Sequence, residues 1–541
     1  MAALEWFFPG MAAALGGGGL LLQKHHPRFN RKKTGRRLNP DQKLSAWELG
    51  EFPLMFTPPP RRFILGEEAR YYHLAAIGAS GTGKNRFFLL PCIYQDIIRG
   101  ACVIIIDPKN AMLRQIAAYA ASCGRSSQLR YLDLSNPARS FTYSPFTRDD
   151  PGQMAESLHT ALFQDDTTPT PYYRDTALTW SYGIFAIFHH LQACPTFEQI
   201  RRLALDRDAL KVLIGQAPDL PASKELYQEF LSKSPDEYTE LMRGASNKLT
   251  AITSAKYAPL VNTTAPSIDL GEVLAKNQIL YVGTAKDMYP SSSRLISTLL
   301  LMDLQSRLTA RFNKPVRPCF LYIDEFADVI YPDARDLIAK ARDARVGVAF
   351  AHQSSGDLKK YGPAVAEGIF ENAGSKVIFR LGSAETAELF AKLAGTWTEK
   401  KDLVNYSLDG PALFAGKVAK GVTTVEGETF LIHPNEMKNL PVGEAYMILQ
   451  RLGPRQIFHG RLIDVDRIGI PPLAEGEVPP PTAGRVRKPV TLDPLAPADG
   501  PPTSKPSETN AQATEPPTPN PSKINAMGWL AKKRKKKKHE P

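Results

Sequence analysis

The sequence has few cysteines. Five occur in 541 residues: Cys92, Cys102, Cys123, Cys194 and Cys319. Their number is odd and none forms a C-x-x-C spacing, so neither a disulfide framework nor a zinc site is indicated. The histidine pairs 25–26 and 189–190 lie in a basic flank and a helical stretch and favour structural roles over metal or nuclease ligation. A reducing compartment fits this composition best.

Long apolar runs are also scarce. Residues 6–23 (WFFPGMAAALGGGGLLLQ) are uncharged but number only 18 and include four consecutive glycines, whereas a spanning helix needs roughly 17–25 residues. Basic residues follow this stretch and none precedes it, which argues against a cleaved signal peptide and predicts a cytoplasmic domain after it. Residues 1–40 are therefore a candidate membrane anchor with a basic flank; the alternative is a flexible or peripheral N-terminus.

Charge is unevenly distributed. The formal net charge is +12, but residues 532–538 alone contribute seven basic side chains, so the folded body is only mildly basic and charge by itself is weak evidence for a nucleic-acid partner. The segment 470–541 is rich in proline and poor in apolar residues, which predicts a disordered tail with a basic tip. Such a tip could touch DNA or anionic lipid, or act only as a solubilising tail.

The apolar pattern predicts an α/β fold. Six short apolar runs predict strands separated by helical stretches: 73–78, 101–110, 278–283, 318–326, 345–353 and 375–381. Such an alternation requires a parallel sheet with covered faces. Residues 151–265 show helical spacing and few strand signals. We therefore expect an α/β domain in two parts, 41–150 and 266–469, with an inserted all-α domain at 151–265.

A phosphate-binding loop is indicated by GASGTGKN at positions 78–85. Its expected phosphate-binding residues are Gly78, Ala79, Ser80, Gly81, Thr82, Gly83, Lys84 and Asn85. In the pattern G-x-x-x-x-G-K-[ST], backbone N–H groups surround the phosphates, the lysine reaches them and the hydroxyl holds Mg²⁺. Asn85 replaces that hydroxyl. Its amide oxygen is a suitable Mg²⁺ ligand, and the alternative is a weakened or inactive site.

The acidic strand FLYIDEF supplies the second half of the predicted site. Asp324 is expected to hold the metal, and Glu325 to polarise the attacking water. Asp107 and Lys109 in DPKN, which are expected to bind nucleotide, and Gln353 in AFAHQSS end two other predicted strands at the same edge of the sheet. Taken singly each is more often an ordinary polar residue at a strand end, but together these positions predict nucleotide hydrolysis.

As a set, these motifs resemble the TraG/TraD-type coupling proteins of type IV secretion systems. The resemblance rests on GASGTGKN, IIIDPKN, YYRDTALTW, FLYIDEFAD, AFAHQSSGDLKKYG and ENAGSKVIFRLGSAETAELFAKLAGT, and it covers roughly residues 50–465. It implies a RecA-like ATPase fold, a homohexamer with ATP and Mg²⁺ at subunit interfaces, and the cytoplasmic face of the bacterial inner membrane. The implied partners are DNA, relaxase or relaxosome proteins, and channel components.

The resemblance also implies residue roles. Lys84 would bind phosphate, Asp324 would serve Mg²⁺, Glu325 would be the catalytic base and Gln353 the sensor of the terminal phosphate. A neighbouring subunit would contribute an arginine, for which the candidates are Arg342, Arg345 and Arg380. Two features depart from the family: Asn85 lacks the usual hydroxyl, and many members have two membrane helices where this chain has at most one.

Three functions compete at this stage. The leading hypothesis is a DNA-translocating or substrate-recruiting ATPase of conjugative transfer. The second is a non-hydrolysing, membrane-tethered docking adaptor that holds nucleotide structurally and binds relaxosome or effector proteins through its helical domain. The third, a DNA-pumping ATPase outside secretion, is disfavoured by the inserted helical domain.

Overall fold

The computed structural model describes residues 51–57, 61–164, 172–353, 356–359, 363–409, 416–449, 456–484, 490 and 492–493. The candidate anchor at 6–23 and the basic tip lie outside the described residues. Every described residue belongs to the unit Met1–Asp493, and Pro494–Pro541 forms a second unit. In the described part of the chain, no helix is both long enough and apolar enough to cross a bilayer.

Thirteen strands are present in the described residues. In chain order they are β1 (Glu51–Thr57), β2 (Arg61–Gly66), β3 (Leu74–Ile77), β4 (Cys102–Asp107), β5 (Leu129–Asp133), β6 (Ile279–Gly283), β7 (Cys319–Ile323), β8 (Val346–His352), β9 (Ser375–Ile378), β10 (Thr396–Asp409), β11 (Gly416–Phe430), β12 (Glu444–Leu449) and β13 (Gln456–Leu462).

Helices connect most of the strands. The α-helices are Glu67–Arg70, Leu90–Ile98, Leu113–Ser122, Pro151–Phe163, Tyr172–His190, Phe197–Leu205, Arg207–Gly215, Pro221–Leu226, Pro235–Thr253, Ala258–Val261, Leu270–Ala275, Pro290–Leu308, Ala334–Asp343, Gly356–Lys359, Pro363–Asn372, Ala384–Ala394 and Pro434–Lys438. A π-helical turn, Asn85–Leu89, precedes helix Leu90–Ile98, and a second, Tyr227–Leu231, follows helix Pro221–Leu226.

Eleven of these strands form one mixed sheet, in the order β2-β1-β13-β12-β9-β3-β8-β7-β4-β6-β5. The seven from β9 to β5 are parallel, and β12, β13, β1 and β2 continue the sheet as antiparallel strands. The predicted α/β class with a parallel sheet is confirmed. All six strands predicted from apolar runs lie in its parallel part.

The parallel strands are buried on both faces. In β4 every residue of CVIIID is buried, and β6, β7 and β8 show the same continuous burial. A β-branched run without alternation is the pattern expected when helices cover both faces of a sheet. Because the strands are parallel, their carboxyl ends meet at one edge, which is where β3, β4, β7 and β8 present the predicted functional residues.

The chain between β5 and β6 is helical wherever it forms regular structure among the described residues. Two of its helices begin with a capping box, at Thr196 and at Ser234. In each, the cap side chain accepts from the backbone N–H three residues later, and the side chain of that residue accepts from the backbone N–H of the cap. Trp180 and Tyr238 pack in the interior of this helical group, where the Trp180 indole donates to the Tyr238 hydroxyl over 3.2 Å. Helices from Pro151–Phe163 to Ala258–Val261 lie within 151–265, and the insertion of a separate all-α domain there stays a prediction.

Two features of the fold have no counterpart in the sequence predictions. The antiparallel strands β1, β2, β12 and β13 widen the sheet beyond its parallel part. Strands β10 and β11 form a separate two-stranded ribbon that pairs from Thr396↔Phe430 to Asp409↔Gly416. The ribbon strands are rich in polar residues, so a search for buried strands passes over them, whereas β12 contains the apolar run AYMIL and was missed.

The predicted start of disorder at residue 470 is wrong for the part of the tail that the structure describes. Residues 470–479, which we call the strap, lie against the helix Leu113–Ser122 and against β5. Backbone carbonyls of the strap accept hydrogen bonds from body side chains at 2.5–3.2 Å, the donors being Arg114, Gln115, Tyr131 and Arg139. These donors compensate for the strap's low apolar content, which a composition argument does not register.

Candidate nucleotide-binding site

The loop 78–85 follows β3 at the carboxyl edge and has the backbone geometry of a phosphate-binding loop. Gly83 has a φ of +89°, and a Cβ there would lie 2.4 Å from the Phe87 ring, so only glycine fits. The Ala79 N–H donates to the Arg380 carbonyl over 2.9 Å, and the Gly78 N–H to that of His352 over 3.3 Å. The strand ends of β9 and β8 therefore hold the loop in place.

Lys84 lies folded inside the loop. Its side-chain Nζ donates to the carbonyls of Gly78 (2.7 Å) and Ala79 (3.2 Å), and the residue is 9% exposed. Burial lowers the pKa of the ammonium, and the nearby carboxylates Glu325 and Asp324 partly offset that effect. Phosphate oxygens would compete with these two carbonyls for the ammonium, as a phosphate-binding lysine requires.

Asn85 and Asp324 are in direct contact. The Asn85 Nδ2 donates to Asp324 Oδ2 over 2.7 Å. Asp324 is 4% exposed; burial raises the pKa of its carboxyl, and the Asn85 hydrogen bond opposes the rise. The amide orientation follows from chemistry, because an amide oxygen at this distance from a carboxylate would be repelled. The structure thus brings the two predicted metal-binding residues together, with the amide acting as a donor.

Glu325 sits at the centre of the edge in a left-handed backbone conformation, with φ 52° and ψ 61°. For a residue other than glycine this conformation costs roughly 1–2 kcal/mol. Its Oε2 accepts from Lys109 Nζ at 3.1 Å and from Gln353 Nε2 at 2.9 Å. Burial alone would raise the pKa of this carboxyl, but the hydrogen bonds from Gln353 and Lys109 outweigh burial and lower it. The structure therefore joins three predicted site residues.

Asp107 holds the turn that follows β4. It is fully buried, and its carboxylate accepts the backbone N–H groups of Lys109, Ala111 and Met112 together with the Tyr281 hydroxyl. Through these four donors Asp107 shapes the turn that carries Lys109. Its predicted contact with nucleotide stays a prediction.

The three candidate arginines lie in two places. Arg342 and Arg345 precede β8 and lie at the amino edge of the sheet, where Arg342 donates to the Tyr72 hydroxyl over 2.9 Å and Arg345 pairs with Glu68 at 3.5 Å. Arg380 follows β9 at the carboxyl edge and is exposed. Only Arg380 is therefore near this chain's own phosphate loop, and a role of any of the three in a neighbouring subunit stays a prediction.

Two ion pairs at this edge were not found from the sequence. Arg86, directly after the phosphate loop, donates to Asp464 over 2.9 Å and also contacts Asp466. Lys286 pairs with Asp328 at 2.6 Å. The partners of Arg86 are some 380 positions away in the chain, so no local pattern links them. For Lys286, the only available signal is its place three residues after β6.

The carboxyl edge of the sheet carries both ammonium groups and carboxylates, in an order set by the order of the strands. The order of the parallel strands places Lys84 after β3, Gln353 after β8, Asp324 and Glu325 after β7, and Lys109 after β4. A buried ammonium within an N–H-rich loop suits phosphate, and two carboxylates two strands further along suit a metal ion and a water molecule. The arrangement fits phosphoanhydride hydrolysis.

Comparison with known proteins agrees with this geometry. Residues 318–442 match the family model described as the TraM recognition site of TraD and TraG. The fold matches the bacterial conjugative coupling protein TrwB in its unbound form, with a TM-score of 0.57 and 17% sequence identity over 80% of this chain and 96% of that one. The resemblance to TraG/TraD-type coupling proteins is confirmed. The RecA-like fold that it implied is confirmed as well.

Two further TrwB structures were solved with nucleotide. The complex with the GTP analogue GDPNP matches with a TM-score of 0.55 at 17% identity, over 81% of this chain and 98% of that one. The complex with ADP and Mg²⁺ matches with a TM-score of 0.54 at 16% identity, over 81% and 97%. No curated protein matches the chain significantly. The segment with the TraG/TraD pattern contains Asp324, Glu325 and Gln353.

Proposed function

We propose that this chain is an ATP-hydrolysing coupling protein, which recruits DNA with its relaxase or relaxosome proteins and moves it to a type IV secretion channel. The observation that carries the proposal is the convergence of Lys84, Asp324, Glu325 and Gln353 at one edge of a RecA-like sheet. A docking role alone would not require a buried lysine in the loop together with a strained glutamate that is hydrogen-bonded to a glutamine at the same edge.

Lys84, Glu325 and Gln353 each have a separate role in the proposed hydrolysis. Lys84, with the N–H groups of the loop, binds the β and γ phosphates and neutralises charge on them. Glu325 accepts a proton from the attacking water, and Gln353, hydrogen-bonded to Glu325, orients that water relative to the terminal phosphate. The left-handed backbone conformation of Glu325 directs its carboxylate towards the other functional side chains at the carboxyl edge of the sheet. Hydrolysis then requires positioning by these groups and no covalent intermediate.

Asp324 and Asn85 have the donor chemistry for Mg²⁺. Mg²⁺ prefers hard oxygen ligands and is bound through one or two carboxylates plus substrate phosphates, which Asp324 and the Asn85 amide oxygen could supply. Bound there, the ion would neutralise negative charge on the phosphates. Before this can happen, the Asn85 amide has to release Asp324 and turn its oxygen outward.

The comparisons support the partners named in the proposal. TrwB has been solved with ADP and Mg²⁺ and with analogues of GTP and ATP, which supports nucleotide and Mg²⁺ as ligands of the site here. The family matched by residues 318–442 is described by recognition of TraM, which supports docking of a relaxosome protein on this segment. Assembly as a homohexamer at the inner membrane completes the proposal.

The test is Mg²⁺-dependent ATP hydrolysis by the full chain, with and without single-stranded or double-stranded DNA. We expect turnover in the parent, and a loss of roughly 10²–10⁴-fold in Glu325→Gln, the range for removal of a general base. Lys84→Ala should lose both turnover and nucleotide affinity. Gly215→Ala, at an exposed helix end remote from the edge, is the control and should retain full turnover.

One observation favours the docking adaptor as the second candidate. The Asn85 amide donates a hydrogen bond to the Asp324 carboxylate. A serine or threonine hydroxyl at this position would instead offer an oxygen to the metal. If the parent binds nucleotide but does not hydrolyse it, and Asn85→Thr restores turnover, the loop is disabled and the adaptor is the correct function. DNA-stimulated turnover in the parent would exclude the adaptor.

A further inference from the structure

Two lysines cover the acidic end of β7 on the side away from the phosphate loop. Lys109 pairs with Glu325 at 3.1 Å and Lys286 with Asp328 at 2.6 Å. Both lysines remain partly open to solvent, with side chains 44% and 39% exposed, while Glu325 and Asp328 are 10% and 15% exposed. The ammonium groups therefore lie between buried carboxylates and solvent.

The strand order separates Lys109 from the phosphate loop. The loop follows β3, and β8 and β7 stand between β3 and β4, which carries Lys109. With strands about 4.8 Å apart, the backbones of β3 and β4 are roughly 14 Å apart, but in addition to burial the Lys109 charge still contributes to lowering the pKa of Lys84. Glu325 follows β7, between these two strands, and its carboxylate accepts a hydrogen bond from the Lys109 ammonium. Lys109 is thus well placed to hold Glu325, and its predicted contact with nucleotide stays a prediction.

Resting on the proposed function, we propose that Lys109 is a positioning residue that restrains Glu325 until nucleic acid binds. In the restrained state Glu325 Oε2 accepts hydrogen bonds from both Lys109 and Gln353, which fix the direction of the carboxylate. A polyanion reaching this edge competes for the exposed Lys109 ammonium. Glu325 is then held by Gln353 alone, and its carboxylate is free to turn towards the attacking water.

Nucleic acid is the partner that this chemistry selects. A lysine ammonium exchanges readily between a carboxylate and a phosphate diester, because both are oxygen anions and the ammonium is a point charge with rotatable donors. A duplex presents one negative charge about every 1.7 Å, so a strand along the edge offers several phosphates to one lysine. The restraint would couple DNA binding to hydrolysis in the same subunit.

The decisive variant is Lys109→Met, which keeps the length of the side chain and removes the ammonium. In the full chain we expect DNA-independent turnover to rise roughly tenfold, the size expected for loss of one charge-assisted hydrogen bond, and further stimulation by DNA to disappear. The KM for ATP should stay within about twofold of the parent. Lys109→Arg should restore low basal turnover and stimulation.

Lys286→Met is the matched control, because it removes an equally exposed ammonium from the neighbouring pair without touching Glu325. It should keep the low basal turnover and the stimulation of the parent. A fall in turnover with a raised KM in Lys109→Met would instead show that Lys109 binds nucleotide. Parent-like behaviour of Lys109→Met, or equal effects of both variants, would also overturn the restraint.

A readout independent of turnover tests the pair itself. Brief acetylation followed by mass spectrometry measures the reactivity of each lysine, with Lys286 as the internal standard. Glu325→Gln should increase the acetylation rate of Lys109 relative to Lys286; an unchanged ratio would show that the pair does not form in solution and would overturn the proposal. Absence of hydrolysis in the parent and all variants would count against the proposed function, and the acetylation ratio would still decide whether the pair exists.

Discussion

At the scale of single residues, Asn85 is the position where the loop 78–85 departs from the phosphate-binding pattern. A serine or threonine at this position offers an oxygen to the metal, whereas the Asn85 amide donates a hydrogen bond to the carboxylate that the metal needs. The buried Asp324 is therefore satisfied without a cation. Exchange of this contact for a metal contact is an added step in forming the active site.

We accordingly expect the affinity for ADP to depend less on Mg²⁺ in the parent than in Asn85→Thr. The ratio of dissociation constants in chelator and in Mg²⁺ should be on the order of tenfold larger in Asn85→Thr, because a hydrogen bond to a charged group contributes about 1.5 kcal/mol. Calorimetric titration with ADP in each buffer measures the ratio. Asn85→Ala, which removes donor and ligand together, is the control, and equal ratios in parent and Asn85→Thr would contradict the expectation.

At the scale of elements, the sequence predicts what is local and misses what joins distant segments. The run CVIIID and the loop GASGTGKN each contain their own structural signal, and both form as expected. The contact of Asn85 with Asp324 joins positions 239 apart, and that of Lys109 with Glu325 positions 216 apart. Such pairings depend on strand order and side-chain direction, which composition and periodicity do not encode.

A buried ion pair shows the same limit and connects three elements. Arg70 donates two hydrogen bonds of 2.7 Å to Asp96 and one of 2.8 Å to the Tyr322 hydroxyl. Arg70 is 1% exposed and Asp96 fully buried. The pair therefore fixes helices Glu67–Arg70 and Leu90–Ile98 to β7, the strand that leads into Asp324 and Glu325.

Asp96→Asn should reduce the free energy of unfolding by about 3–5 kcal/mol at neutral pH, because it leaves the Arg70 charge buried without a counter-ion. Burial alone would raise the pKa of the Asp96 carboxyl, but the ion pair and hydrogen bonds with Arg70 outweigh it and keep the pKa below its ordinary value of 3.8. The stabilisation is thus complete above that value and is lost as pH falls below it through the folded-state pKa.

Urea unfolding of the parent and Asp96→Asn across this range measures the effect, and the difference between them should narrow as the pH falls below 3.8. Glu67→Gln is the control, since Glu67 is about one-third exposed where it pairs with Arg99. Its cost should be within about 1 kcal/mol. A difference between parent and Asp96→Asn that does not change with pH would show that the charge of Asp96 is not the stabilising feature.

At the scale of the whole molecule, positive charge is concentrated at the C-terminus. Residues 532–538 contribute seven of the net twelve charges, so replacing them with Gly and Ser leaves a formal charge of 12 − 7 = +5. If the chain binds DNA through both body and tail, the two contributions are separable by salt, because each phosphate contact adds roughly 0.9 to the slope of log affinity against log salt for duplex DNA.

We expect the replacement to reduce the magnitude of that slope by the amount that corresponds to several phosphate contacts. DNA-stimulated ATP turnover at low salt should be retained. Fluorescence anisotropy with a short duplex over a series of salt concentrations gives the slope. A version in which all seven residues are arginine preserves the charge and should preserve the slope. An unchanged slope in the Gly/Ser version would mean that the phosphate contacts lie in the body.

The strap also bears on how the protein behaves in concentrated solution. Strand β5 ends the sheet, and the strap lies beside it, with the Tyr131 hydroxyl bonded to the Pro479 carbonyl and Val478 buried. An uncovered edge strand is a template for pairing with other chains. Ser140 and Phe141 already bond to part of that edge, so a protein shortened at residue 469 would expose only the rest of it, together with the surface that Val478 covers. Aggregation during expression and storage is the first consequence to expect, even with the catalytic residues in place.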